Sequence, residues 1–207
     1  MKIKTLLLFL FFILGIKQTA LADSPLTSTA ISEAYATDKM VLLAGKTKGL
    51  ITIELMKFLN SKSSPIAVKI AVINKIGWSF EGQNNAGLFW EYLQKNNKYK
   101  DETDFIKKAD ANLLICFAYM KALDNYFDVS EALELAKKAV EKDKKKSYTI
   151  NIVAALIRAQ KAMDTDWCEA YKNTDKVRNK KSLVKDLNEN AIFIIFEYMD
   201  LYKDYCN

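Results

Sequence analysis

Apolar residues recur at helical spacing through nearly the whole chain, and little interrupts them: 207 residues hold two prolines and six glycines. A sequence with that period and so few breakers can bury its apolar stripes only by packing helix on helix. The run Ile192-Phe193-Ile194-Ile195-Phe196 is the sternest test, because alone it could form a strand. Its flanks favour a helix. Leu187, Ala191, Ile194, Tyr198, Leu201 and Tyr205 follow a 4-3-4-3-4 spacing, which predicts one long terminal helix. Residues 109–126, with Leu113, Phe117 and Met120 on one face and Leu114, Cys116 and Ala118 on others, are apolar nearly all round and belong at the centre of a core.

Capping residues set the remaining boundaries. A helix is expected from Thr29 to Ala44, broken near Thr37 and stopped by Gly45. Ile51, Leu55, Phe58 and Leu59 predict a second. Ser64 is expected to cap a third, with Pro65 at its first position and Gly77 as its left-handed stop. Asn84 or Asn85 caps the next, which carries Phe89, Tyr92 and Leu93. Asp128 with Glu131, and Asp166 with Glu169, have the spacing of capping boxes. Between those two starts, Ala132, Leu135, Ala136 and Ala139 form a small-residue face, and Ile152, Leu156 and Ala159 continue the pattern. The expected fold class is all-α: about nine helices in antiparallel pairs, forming an irregular bundle or a short right-handed α-solenoid.

The first 22 residues are read as a secretory signal peptide. Lys2 and Lys4 precede an apolar run from Leu6 to Ile16, and Ala20-Leu21-Ala22 offers small-x-small cleavage chemistry. The apolar run is short of the ~20 residues a membrane span needs. Residues 23–207 are then expected to form one helical domain with no integral membrane segment, delivered to a periplasmic or extracellular compartment. Lys2, Lys4 and Lys17 leave with the leader, so 28 basic residues face 25 acidic ones, a balance of +3 rather than the whole chain's +6. That weak balance, with Arg158 and Arg178 the only arginines, argues against a nucleic-acid partner.

The chain has no histidine, which excludes Ser-His-Asp and Cys-His catalysis and His-ligated zinc. No Gly-rich phosphate loop, EF-hand or C-x-x-C pair occurs, so neither cofactor nor metal is expected. Three cysteines allow three intrachain pairings. Cys116 sits in an apolar helix, whereas Cys168 opens one helix and Cys206 ends the chain, which favours a Cys168–Cys206 disulfide over three reduced, buried thiols.

The segment Gly77–Trp90 holds the candidate binding residues Trp78, Phe80, Glu81, Gln83 and Asn84. The two rings could stack on a sugar or an apolar side chain while the polar groups supply hydrogen bonds. The simpler alternative is a helix–helix turn in which Gly77 stops one helix, Gly82 permits the bend and an Asn caps the next. Glu81 is the acid a small carbohydrate-active or envelope enzyme would use, with no partner acid to name beside it.

Leu113 to Lys146 resembles one tetratricopeptide-type helix pair. Cys116, Tyr119 and Leu123 stand on its first helix, and Ala132, Ala136 and Ala139 are spaced along its second. Met120 stands where such repeats use a small residue, and Lys144 where they favour proline. Ser61 to Gly77 has a vaguer likeness to a HEAT-type helix. The resemblance implies a scaffold that binds a protein or peptide along a concave face. Together these readings point to an exported, non-enzymatic, protein- or peptide-binding module of a cell envelope.

Overall fold

A computed structural model describes residues 24–77 and 84–206. The expected leader, Trp78, Phe80, Glu81 and Gln83 lie outside the described residues. Within them the chain is helical throughout, and its only β-type pairing is an isolated bridge between Ser147 and Val184. Ten α-helices follow in order: α1 Lys39–Gly45, α2 Ile53–Asn60, α3 Ile66–Ile76, α4 Asn85–Asn97, α5 Glu102–Lys108, α6 Ala111–Asp124, α7 Ser130–Lys142, α8 Tyr148–Ala162, α9 Trp167–Arg178 and α10 Glu189–Met199. A 3-10 turn, Ile31–Tyr35, precedes them and another, Asp200–Cys206, follows them.

Side-chain caps explain most of the starts. Asp38, Thr52, Asn84, Asp101, Asp110, Ser147 and Asp166 each accept a backbone N–H from the first turn of the helix they open. Asp166 accepts the Glu169 N–H at 3.0 Å. The first expected helix breaks near Thr37, as its sequence suggests: it divides at Ala36–Asp38 into the 3-10 turn and α1, because Asp38 restarts the helix by capping Met40. Three other expected boundaries are corrected. Pro65 itself, not Ser64, stands at the N-cap of α3: its ψ of 135° keeps it extended, and its carbonyl accepts the Lys69 N–H.

Asp128 does not box with Glu131. Its carboxylate accepts both the N–H and the hydroxyl of Ser130, while Glu131 pairs with Lys121. The long terminal helix is shorter than its spacing predicts. Residues 182–188 leave the helical path because Val184 and Asp186 bond to the start of α8, and Asn188 then restarts the chain by accepting the Asn190 N–H. Leu187 reaches the core from that connector, at 6 % exposure.

The buried side chains form one connected core. Its spine is α6, in which Leu113 through Met120 are buried without a break, and α8, in which eleven of fifteen residues are buried. An α-helix buried on every side needs neighbours all round it. Helix α6 packs most closely on α7 and also on α3, α4 and α8; α8 packs most closely on α9. The 3-10 turn Ile31–Tyr35 packs on both α3 and α10, so the two ends of the described chain meet. Contacts in a solenoid are confined to neighbouring repeats. This packing is that of a closed bundle. No helix of the described residues is long and apolar enough to cross a membrane.

Candidate functional site

Helices α4, α5 and α6 enclose a cleft of about 430 Å³, and its walls begin with Asn84, the one binding residue expected from the sequence that the structure describes. The position of this cleft follows from how α4 starts. Asn84 Oδ1 accepts the Gly87 N–H at 2.8 Å, and the capping side chain lies so close over the helix that a Cβ at residue 87 would sit 2.6 Å from the Asn84 Cγ. Glycine there leaves room for the capping side chain, which a Cβ would push aside. Asn85 is turned inward, at 1 % exposure. It accepts the Ile51 N–H at 2.8 Å and donates to the Gly49 carbonyl at 2.8 Å, tying α4 to the α1–α2 connector.

From the far side, Asp124 at the end of α6 accepts the Ala86 N–H at 2.6 Å. Burial pushes the Asp124 carboxyl up to about 6, against the pull of the Ala86 and Asn85 N–H groups. The helix start is thus fixed by three side chains from two directions.

One turn further on, Trp90 and Gln94 project from α4 at an i, i+4 interval, facing Phe117 and Lys121 at the same interval on α6. Phe105, fully buried, holds the aromatic floor. Its ring meets Trp90 at 5.5 Å, Tyr99 at 5.1 Å and Phe117 at 5.3 Å, each close to edge-on. The rim is charged and nearly balanced. The Lys121 ammonium lies 5.7 Å from the Phe117 ring centroid, 2.7 Å from Glu131 and 3.5 Å from Glu102. Asp101 accepts the Asp104 N–H at 2.7 Å as the cap of α5. Asp104 is held below the usual carboxylate range, first by its hydrogen bond from Lys108 and then by the Lys100 N–H. The cleft can therefore receive an apolar or planar group on its floor and exchange hydrogen bonds with Gln94, Asn84 and Glu102 at its edge.

A larger cleft, about 600 Å³, lies between the α2–α3 link, the start of α6, the α7–α8 link and Val184–Asp186. Its two carboxylates are occupied by the fold. Asp186 accepts the Ser147 hydroxyl at 2.6 Å and both the N–H and hydroxyl of Thr149 at 2.9 Å, while Asp143 accepts the Ser147 N–H at 2.6 Å. These bonds fasten the 180–188 connector to α8.

The cysteines are widely separated in role. Cys168 and Cys206 are joined in a disulfide with Cα atoms 4.7 Å apart, which pins the terminal 3-10 turn to the start of α9. The neighbouring residues Trp167 and Tyr205 meet edge-to-face with ring centroids 4.6 Å apart. Cys116 is fully buried in α6, and burial pushes its thiol up to about 12. Among the described residues no group of three or more His, Cys, Asp or Glu is placed to hold a metal.

Of the binding residues expected from the sequence, Asn84 lines this cleft, and Trp78, Phe80, Glu81 and Gln83 lie outside the described residues. Gln94 and Lys121 were not singled out, Trp90 only closed the candidate segment, Phe117 was read as core and Glu102 as part of a helix start. The matching i, i+4 pairs on two neighbouring helices were the available signal, but only tertiary contact shows that the pairs face each other. No family model, curated protein or solved structure matches this chain.

Proposed function

We propose that this chain is an exported, non-enzymatic helical protein of a bacterial cell envelope that binds a protein or peptide partner through the α4–α6 cleft. The observation that carries the reading is the cleft's construction: a Trp90 and Phe117 floor, backed by the buried Phe105 ring, beneath a rim of Gln94, Asn84, Glu102 and Lys121. Aromatic anchors of this kind, with a polar rim, suit an inserted side chain of a partner. The acids beside it are committed: Asp101 caps α5 and Glu102 faces Lys121. An enzyme reading would rest on Glu81, which lies outside the described residues.

Export rests on the leader-like first 22 residues, and the Cys168–Cys206 disulfide supports an oxidising destination. The helix pair α6–α7, whose Ala132, Ala136 and Ala139 are buried on α7, remains the best support for a tetratricopeptide-like scaffold.

The test is a displayed peptide library panned on the processed protein, with recovered peptides measured by calorimetry. Trp90→Ala should weaken the selected peptides by about tenfold or more, as removal of an interface anchor does. Undiminished affinity in that variant would remove the cleft from the account. Intact mass of the exported protein should correspond to a chain beginning at Asp23.

A further inference from the structure

The polar groups around the α4–α6 cleft divide into those the fold uses and those it leaves open. Both lining acids are used: Asp101 accepts the Asp104 N–H at 2.7 Å, and Glu102 faces the Lys121 ammonium at 3.5 Å. The open groups are nearly all donors. The Trp90 indole N–H, the Gln94 amide, the Asn84 Nδ2 group and the Lys100 ammonium make no hydrogen bond or ion pair with the described residues. Asn84 has given its oxygen to the Gly87 N–H, which leaves its nitrogen to donate. The Trp90 N–H differs from that of Trp167, which donates to the Met163 carbonyl at 3.1 Å. It is not sealed in the core either, because the only enclosed side-chain N or O without a partner among the described residues is Arg178 Nε. Asp104, the acid whose charge acts on Lys100, is already bonded to Lys108 at 2.9 Å.

This pattern says what an occupant carries. The place for a cation over the floor is taken, since Lys121 stands 5.7 Å from the Phe117 ring centroid and pairs with both Glu102 and Glu131. An arriving ammonium would meet Lys121 and Lys100. A group that only accepts hydrogen bonds meets open donors, and among peptide groups the strongest such acceptor is a carboxylate. Gln94 follows Trp90 by one turn, and Lys100 comes three residues after α4 ends, whereas Asn84 lies about 9 Å before Trp90 along the helix axis. We propose, resting on the peptide-binding reading above, that the cleft recognises a carboxylate of its partner, carried beside an apolar or aromatic side chain that lies on the Trp90 floor. The carboxylate accepts from Trp90, Gln94 and Lys100, and Asn84 donates to a backbone carbonyl of the same segment. Two lining lysines balance two lining acids, so selection comes from directed hydrogen bonds rather than from a net field. An acidic side chain and a chain terminus present the same group.

The experiment pans a peptide library displayed with free carboxyl termini and remakes each recovered peptide synthetically in three forms: unchanged, with side-chain acids replaced by their amides, and with the terminus amidated. Calorimetry with the purified protein should show one replacement weakening binding about tenfold, as loss of a hydrogen-bonded charge does, and the form affected tells side chain from terminus. Trp90→Phe keeps a ring on the floor and removes the N–H. Lys100→Gln alters a side chain that the fold does not use, so it guards against a merely destabilised variant. Each should weaken the acid form several-fold more than the amide form, with an unchanged circular dichroism spectrum. Acid and amide forms that bind alike, while Trp90→Ala still abolishes binding, would overturn the carboxylate and leave the peptide reading standing. Recovered peptides that carry lysine or arginine in that place would do the same. Recovery of no peptide that depends on Trp90 would overturn both.

Discussion

The two halves of this bundle are held by different means. From α6 to α9 the helices are long, follow one another through short links, and bury apolar faces against sequence neighbours. From Ser24 to α3 the helices are shorter, and amide side chains join these pieces to one another and to α4. Asn74 fastens the strap of residues 24–35, Asn85 fastens the α1–α2 connector, and Asn60 and Asn97 exchange reciprocal amide bonds of 2.9 and 2.8 Å between the ends of α2 and α4. Packing tolerates modest change because many contacts share the load. A buried amide clamp fails as a unit, because its loss strands a backbone group that had no other partner. The candidate cleft lies at the seam, with α4 on one side and α6 on the other.

The comparison can be broken first in the apolar half. Leu156→Ala empties a fully buried position on α8 and should cost about 2–5 kcal/mol in urea unfolding. A loss below ~1 kcal/mol would mean that the spine is loosely packed. Replacing both Cys168 and Cys206 by Ser should cost about 3–4 kcal/mol, by releasing the loop they close. Intact mass with and without reductant checks the bond itself, since a denatured, unreduced chain with three alkylatable thiols would show it absent.

In the polar half, Asn85→Ala leaves the Ile51 N–H without its acceptor and should cost about 1–3 kcal/mol, more than an exposed Asn. The smallest effect concerns pH. Asp124 binds its proton more tightly folded than unfolded, its carboxyl having moved from 3.8 to about 6. Its contribution to stability is therefore greatest below the unfolded value and falls as pH rises through about 6. Asp124→Asn keeps an oxygen for the Ala86 N–H but cannot ionise. The wild-type melting temperature should fall relative to that variant between pH 4 and 6, and a constant difference would contradict the assignment.

The same division explains how much could be read from sequence. Where helices are long and meet their chain neighbours, period and caps were sufficient: the all-helical class, the central place of α6 and the cap at Asp166 follow from local spacing. What failed depended on distant partners. The 4-3-4-3-4 pattern carried the terminal helix back past Leu187, yet Asp186 and Val184 are claimed by α8 nearly forty residues earlier. Lys69 reads as a polar position on α3 but is 2 % exposed, because neighbours bury that face as well. Trp90 and Lys121 carry no local mark of a shared cleft, since only packing of α4 on α6 brings them together.

Native-state hydrogen exchange on the processed protein tests the division most directly. Amides from the strap through α2 should open together at a lower free energy than those of α6 and α8, and Asn74→Ala should speed exchange in the strap, α1 and α3 while leaving α6 through α9 protected. A single uniform opening free energy across both halves, or a variant that loosens α8 as much as the strap, would contradict it.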